Sequence, residues 1–399
     1  MRQACNAFRT ATGGTNASIQ DIDQTSESLA AYAQANFHFN DKFFATVGGR
    51  YTADSKEGRY DQTTNPFLGT VRAEEHLDLP DVDDHRFTYR LGLNYEPTED
   101  QLLFASFSTG YKSAGYNSGA GSPSLTRIPV IPATTPPTFL DVPERRVFDR
   151  ETVENFEVGA KTSWLDRALT LNLTFYRMDI KGFQDRAYDG TSFTVRNAGN
   201  LRHQGFEFDG VARPMPGLSL FASVAYLDSE FTKYPDAAGL PGCGAVGTPV
   251  VPGCDPLPFD GKLQDLKGKA ATFAPKWSGR IGLDAYGDIG ASGLSWGFNT
   301  NLSFTSKVFG GLVNDANPQT IIDGYALLGA RATLNGPGDR WSVSVFGNNL
   351  TNKQYEAGNL YQFLESSLPV RNGVFPGSTA VRRLHADPRT LGAAATFRF

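Results

Sequence analysis

Short segments in which apolar and polar residues alternate recur along the whole chain. In one of them, residues 86–95, Phe87, Leu91 and Tyr95 share one face, while Arg86, Arg90 and the other even-numbered residues share the opposite face. Successive side chains of a β-strand point to opposite sides, so this pattern predicts a strand with one apolar and one polar face. We count thirteen such segments. Each is expected to have about 9 to 11 residues, the length of a tilted strand that crosses a bilayer.

The connections between these strands alternate strictly in length. Short ones lie at 40–42, 96–101, 164–168, 213–217, 287–293 and 335–340, and long ones at roughly 53–84, 112–150, 181–200, 228–270, 305–320 and 351–388. Outer-membrane barrels have short periplasmic turns and long extracellular loops, whereas a soluble β-sandwich rarely sorts its loops by end. The pattern therefore predicts an all-β protein, an antiparallel transmembrane β-barrel wall of about thirteen strands.

Composition supports this prediction and excludes other classes. The chain of 399 residues has 42 glycines, 29 phenylalanines and 15 tyrosines but only three methionines, a profile typical of strand-rich and turn-rich proteins. Its mean hydropathy of -0.32 leaves no run of about 18 apolar residues for a spanning helix. The net charge of -5 and the scattered cations argue against a nucleic-acid partner.

The last strand is apolar on one face to its final residue. Leu391, Ala393, Ala395, Phe397 and Phe399 share that face. In a soluble sheet such a strand would be an exposed edge that invites aggregation, whereas in a membrane barrel the same face meets lipid.

Six short motifs follow one another in a fixed order. They are GYKSAGYN at 110–117, ETVENFEVGAK at 151–161, NAG at 197–199, GFE at 205–207, APKW at 274–277 and NNLTNKQY at 348–355. Together they resemble the strand and loop signatures of TonB-dependent outer-membrane receptors across residues 103–399. Each motif is weak alone, but the shared order makes the resemblance specific.

The resemblance also implies parts that this sequence does not contain. Members of the family carry a signal peptide, a TonB-contacting box, a plug domain and a barrel of 22 strands. The first residues here lack the apolar core and cleavage site of a signal peptide, so the chain is either cytoplasmic or the tail of a longer one. We expect residues 1–26 to be the remnant of an extracellular loop and residues 27–399 to be the C-terminal part of the barrel, with plug and box absent. Thirteen strands would leave the first and last pointing the same way, so ordinary antiparallel closure is not expected.

A receptor of this kind makes and breaks no bonds, and the sequence offers no enzyme motif. Gly-x-Ser-x-Gly, Walker and His-Glu-x-x-His patterns are all lacking. The resemblance implies uptake of a scarce ligand, most often a ferric siderophore, across the bacterial outer membrane, with no cofactor. It implies outer-membrane lipid, the TonB-ExbB-ExbD complex and the barrel-assembly machinery as partners, the last reading the C-terminal Phe397 and Phe399. The alternatives are a passive porin and a soluble all-β binding or carbohydrate-active protein.

Candidate ligand contacts lie in the loop after the fourth strand. Tyr111, Lys112, Tyr116 and Asn117 combine aromatic surface, positive charge and amide donors, the groups that hold anionic chelates. A purely structural role for this segment is the alternative.

Charged residues on the polar faces form a further set. They are Arg50, Arg86, Arg90, Lys161, Arg280, Arg331 and Arg398 with Glu157, Glu207, Asp209 and Asp284. We expect most of them to form cross-strand ion pairs. The acidic run Asp81, Asp83, Asp84 and His85 could bind a divalent cation, although a solvated loop is the simpler interpretation.

We predict a disulfide between Cys243 and Cys254, because their short separation in sequence across a Pro/Gly-rich loop suits a local disulfide in an oxidising compartment. Peptide mapping without reductant should recover the two cysteines in one cross-linked pair, lighter by two hydrogens than the reduced peptides. Cys5, which has no evident partner, should take up iodoacetamide under the same conditions. Alkylation of Cys243 and Cys254 before reduction would show two free thiols instead.

Overall fold

Thirteen strands form one antiparallel sheet in the computed structural model of this chain, which describes residues 18–64, 75–117, 127–129, 139–141, 143–188, 193–238, 263–314, 316–361 and 381–398. The strands are β1 Ser18–His38, β2 Phe43–Thr64, β3 Glu75–Thr98, β4 Gln101–Lys112, β5 Glu151–Trp164, β6 Leu169–Lys181, β7 Asn200–Met215, β8 Leu218–Lys233, β9 Trp277–Asp288, β10 Ser295–Thr305, β11 Tyr325–Asn335, β12 Trp341–Asn348 and β13 Thr390–Phe397. Each strand pairs with the next in the chain, so the sheet is a simple meander from β1 to β13.

Smaller elements occupy the long connections. Two-stranded ribbons pair Gly115–Tyr116 with Val147–Phe148, Arg127–Pro129 with Phe139–Asp141, Gln184–Tyr188 with Phe193–Asn197, Ala237–Ala238 with Leu263–Gln264, Val308–Phe309 with Ile321–Ile322, and Glu356–Tyr361 with Val381–His385. Short 3-10 helices span Pro143–Arg146, Pro318–Thr320 and Pro337–Asp339, the last within a short turn. Short and long connections alternate as predicted. All the long connections, with their ribbons, therefore lie at the same end of the sheet, which is here called the outer end.

Of the helices within the described ranges, none has the length and apolar content that a membrane crossing requires.

The pairing register joins the apolar faces of neighbouring strands into one continuous surface. Val47 lies opposite Leu91, Leu91 opposite Phe107, and Phe107 opposite Phe156. Large side chains on this surface are exposed, including Phe37, Leu93, Leu103, Val158, Phe175, Leu220, Ile281, Phe298, Leu334, Val345 and Phe397. The predicted alternation is confirmed. An exposed apolar surface that continues across thirteen strands is far larger than the patches found on soluble monomers.

The first three strands are longer than predicted. They have 21, 22 and 24 residues, and the expected loop at 53–84 contains the outer halves of β2 and β3. Backbone pairing continues there because Tyr60, Leu77 and Leu79 bury one face of the extension against Tyr116. β1 begins at Ser18, so residues 18–26 are strand residues, and the assignment of residues 1–26 to a loop remnant stays a prediction. Cys5, Cys243, Cys254 and Phe399 lie outside the described residues.

The polar face is filled by aromatic rings that lie across glycines. Phe104 is opposite Gly159, Phe221 opposite Gly282, and Phe346 opposite Gly392. A cation approaches each ring: Lys161 lies 5.8 Å from Phe104, Arg280 lies 5.8 Å from Phe221 and Arg331 lies 4.5 Å from Phe346. In the described part of the chain, no ion pair within 4.0 Å joins two of the charged residues expected to form a ladder. The prediction of cross-strand ion pairs is therefore wrong, because ring faces and hydroxyls take the place of the carboxylates.

Gly282 is required by this packing. A Cβ there would lie 2.3 Å from the Thr300 carbonyl oxygen and 2.5 Å from the Phe221 ring, whereas a Cβ at Gly297 would meet nothing within 4 Å. We expect Gly282→Ala to destabilise the folded sheet by about 1–3 kcal/mol through overpacking, and Gly297→Ala to change it by less than about 0.5 kcal/mol. Urea unfolding in detergent micelles, followed by heat-modifiable gel mobility, measures both. Equal unfolding midpoints for the two variants would contradict the packing argument.

Candidate functional site

The outer end of β4 carries the first two predicted ligand residues. The Tyr111 hydroxyl donates a 2.6 Å hydrogen bond to Asp54 Oδ2 on β2, so it ties together strands that do not pair with each other. Lys112 ends β4, and its side chain is exposed. Lys112 is therefore the most accessible of the four predicted residues.

Tyr116 and Asn117 are buried. The Tyr116 hydroxyl lies 2.7 Å from the Lys56 carbonyl oxygen and 2.6 Å from that of Pro80, and burial raises the pKa of this phenol. Asn117 donates from Nδ2 to the Val195 carbonyl oxygen at 2.9 Å and accepts from the Val195 N–H at 2.5 Å. These polar atoms already have protein partners. A ligand-binding role for the four residues stays a prediction.

Arg146 supports Asn117 from the next segment. Its guanidinium lies 3.5 Å from the centroid of the Tyr60 ring, and its Nη1 donates to the Asn117 carbonyl oxygen at 3.1 Å. The Asn117 N–H donates in return to the Arg146 carbonyl oxygen at 2.7 Å. Arg146 is fully buried, so its charge is stabilised by the ring face and by carbonyl groups.

Asn197, the first residue of the NAG motif, joins two outer loops. Its Nδ2 donates to the Asp149 and Gly182 carbonyl oxygens, each at 2.8 Å, while its Oδ1 accepts from the Asp149 N–H at 2.7 Å. Gly199 has a φ of 136°, and a Cβ there would overlap the Lys233 carbonyl oxygen. The motif therefore has a structural role at the outer end of the sheet.

Asp185 is a junction of three outer loops that sequence reasoning missed. The Tyr234 hydroxyl donates to its Oδ2 at 2.6 Å, Asn314 Nδ2 donates to its Oδ1 at 2.8 Å, and the Arg186 N–H donates to Oδ1 at 2.9 Å. The residue is only 5% exposed, and burial raises the pKa of its carboxyl above the ordinary value. Burial and the nearby Asp185 charge also raise the pKa of Tyr234. No local pattern distinguishes this aspartate from others in long loops.

A mixed-charge cleft lies above the last strands. It has a volume of about 230 Å³ and is lined by Lys353, Tyr355 and Arg383, with the Tyr325 and Tyr355 rings 4.4 Å apart. Arg383 is paired with Glu356 at 2.5 Å. Aromatic faces and cations of this kind can hold an anionic or aromatic group.

The acidic run does not form a metal site within the described ranges. Asp84 is buried and pairs with Arg150, while Asp81 and Asp83 are exposed. Among the residues that the structure describes, no group of three or more His, Cys, Asp or Glu side chains could hold a metal ion.

Comparison with known proteins identifies the class to which this barrel wall belongs. Residues 3–350, well over half of the chain, match the family described as TonB dependent receptor-like, beta-barrel. The chain belongs to this family of TonB-dependent receptor barrels.

Individual relatives agree with the family. The chain is 27% identical over 213 residues to the probable TonB-dependent siderophore receptor PiuA of Acinetobacter baumannii, covering 53% of this chain and 25% of that protein. It is 25% identical over 209 residues to the pesticin receptor of Yersinia pestis, covering 52% and 27%. These relatives are receptors and not enzymes. The chain matches only about a quarter of the length of these curated relatives.

Solved structures show the same fold. The ferric yersiniabactin uptake receptor FyuA from Yersinia pestis superposes with a TM-score of 0.64 at 18% identity, over 96% of this chain and 47% of that one. The siderophore receptor PiuA from Acinetobacter baumannii gives 0.63 at 20% identity, over 94% and 43%.

We predict that the Asp185 junction tightens in acid. Because its pKa is raised on folding, the neutral carboxyl favours the folded loops, and this contribution is lost as pH rises above the unfolded value of 3.8 through the folded pKa. Hydrogen exchange of segments 184–188 and 193–197 should therefore be slower in acid, relative to the intrinsic rate, than at pH 7. Asp185→Asn, which cannot ionise, should remove most of this pH dependence. An equal pH dependence in both proteins would contradict the assignment.

Proposed function

We propose that this chain forms part of the wall of an outer-membrane TonB-dependent receptor that imports a metal chelate, with a ferric siderophore as the leading ligand. The observation that carries the proposal is the continuous exposed apolar face of an antiparallel sheet that belongs to this receptor family. The proposal assigns that face to lipid and the polar face to the lumen.

Aromatic residues support the assignment to a membrane. On the apolar face, Phe43, Trp164 and Trp296 are exposed near short turns, while Tyr51 and Phe87 are exposed toward the outer end. Two belts of aromatic side chains at the edges of an apolar band are typical of proteins in a bilayer. The exposed Phe397 near the end of β13 fits a role with Phe399 in recognition by the barrel-assembly machinery.

The proposed ligand class is based on the names of the similar receptors. PiuA and FyuA are named as siderophore or ferric yersiniabactin receptors, and another relative is the metal-pseudopaline receptor CntO of Pseudomonas aeruginosa. We extend ferric siderophore uptake to this chain as a proposal. In it, residues 27–399 serve as barrel wall, and residues 1–26 belong to an outer loop into which β1 extends from residue 18. TonB-ExbB-ExbD acts through the family's plug and box. Tyr111 and Lys112 remain the proposed ligand contacts at the outer rim.

Uptake of radiolabelled iron tests the proposal. The gene for this chain is deleted in its own host and restored on a plasmid, and cells receive a panel of hydroxamate, catecholate and carboxylate siderophores loaded with the label. Deletion should abolish accumulation of at least one complex, and the plasmid should restore it.

A second deletion separates active uptake from passive permeation. Loss of TonB should abolish the same uptake because a TonB-dependent receptor needs that energy source. Accumulation that persists without TonB would indicate a passive pore, and uptake of every complex unchanged by the gene deletion would overturn the proposal. Recovery of the chain in the soluble fraction without detergent would contradict the membrane assignment.

A further inference from the structure

Large apolar side chains are exposed at three successive short turns of the sheet. Leu165 in the β5–β6 turn is 76% exposed, Met215 at the end of β7 is 60% exposed, and Ile289 just after β9 is 43% exposed. Successive short turns are two strands apart, which is roughly 10 Å, because neighbouring strands lie about 4.8 Å from each other. The three side chains therefore form a row along the short-turn end of the sheet, here called the apolar rim.

The apolar rim continues the apolar face of the strands. Met215 lies opposite Leu218, and Leu218 shares its face with the exposed Leu220. The Ile289 N–H donates to the Leu294 carbonyl oxygen at 2.8 Å, so the pairing of β9 with β10 extends into their turn. Alternation along the extended strand keeps Ile289 on the apolar face. The apolar face therefore reaches the turns themselves.

Charged groups at these turns lie on the opposite side. Arg167 in the β5–β6 turn donates from Nε to Asp100 Oδ1 at 2.8 Å. It lines a cavity of about 280 Å³ together with Lys161 and Asn172, which belong to the polar face. Asp288, the last residue of β9, alternates to the polar face as well. The turns thus separate polar from apolar groups in the same sense as the strands.

The apolar parts of the strands in this region are short for a membrane crossing. On β6 the apolar face extends over Leu169–Phe175, and Arg177 follows on the same face. On β8 it extends over Leu218–Tyr226, and Asp228 follows. At about 3.4 Å per residue and a tilt of about 40°, these runs span only about 16 and 21 Å along the membrane normal.

The apolar band of an outer-membrane barrel is about 25 Å tall, so these strands leave part of it uncovered. Burial of Arg177 or Asp228 in hydrocarbon is unfavourable, because charged groups are costly there. The remaining thickness is therefore met at the short-turn end, where the apolar rim lies.

We propose that the apolar rim is a lipid-contact surface, immersed in the leaflet nearest the short turns at the boundary between headgroups and acyl chains. The inference rests on the proposed function, which assigns the apolar face to lipid, and it extends that contact to Leu165, Met215 and Ile289. Two other short turns carry charges instead, at Glu99 and at Asp339.

Depth-dependent fluorescence quenching tests the proposal. Leu165→Cys, Met215→Cys and Ile289→Cys are made singly in a chain whose three native cysteines are replaced by serine, labelled with the fluorophore NBD and refolded into phosphatidylcholine vesicles. A nitroxide near the headgroup end of the acyl chains should quench each label about threefold more than a label at Glu99→Cys, because apolar groups at a membrane interface lie roughly 5–10 Å below its surface. Aqueous iodide should show the opposite order.

Val345→Cys separates this proposal from the membrane assignment. Val345 is 58% exposed in the middle of β12 on the apolar face, so its label should respond most to a nitroxide at the far end of the acyl chains. Heat-modifiable gel mobility shows that each labelled variant is folded.

The outcomes are distinct. Iodide quenching of the rim labels equal to that at Glu99→Cys, with the Val345→Cys label in lipid, would overturn the immersed rim and leave the proposed function intact. Protection of the rim labels from iodide and nitroxide alike would also overturn it, because protein and not lipid would then cover them. A Val345→Cys label that responds to iodide and to no lipid nitroxide would overturn the membrane assignment, and the rim with it.

Discussion

Pairing of every strand with its neighbours is the constraint on which the rest of this structure depends. An apolar face that meets hydrocarbon cannot leave backbone N–H or C=O groups without partners, because no water is there to bind them. The meander satisfies them strand by strand between its two edge strands, β1 and β13, and its register is fixed by the side chains. A slip of one residue between β3 and β4, for example, would turn Leu91 and Leu93 to the polar side. The continuous apolar face and the continuous polar face are both consequences of this one register.

The polar face meets a different requirement, because a wide sheet with small inward residues must still be packed. On this face, contacts between aromatic rings and cations take the place of the expected cross-strand ion pairs. Phe104, Phe221 and Phe346 cover glycines on the facing strand, and Lys161, Arg280 and Arg331 approach those rings. On β2, Arg50 instead donates from Nε to the Thr52 hydroxyl at 3.0 Å.

Side-chain hydrogen bonds join the outer loops to one another. Asn117, Asn197 and Asp185 each bond to a segment distant in sequence, and Asp185 alone connects the loops that carry Tyr234 and Asn314. Buried bonds of this kind are costly to break because the polar groups left behind would be unsatisfied. They give the long loops a defined arrangement at the outer end, where Lys112 and the cleft near Tyr355 remain accessible to a ligand.

The sequence by itself determined the strands, their two faces and the alternation of short and long connections, because period-two patterning and turn residues act locally. It also identified the family, since motifs such as GYKSAGYN keep their order along the chain. Only the tertiary structure decided the length of β2 and β3, whose outer halves are stabilised by Tyr116 from a later loop. It likewise decided that Tyr116 and Asn117 are buried and that Asp185 joins three loops. Each of these features depends on residues far apart in sequence. A local sequence pattern does not indicate which distant side chains will contact it in the folded protein.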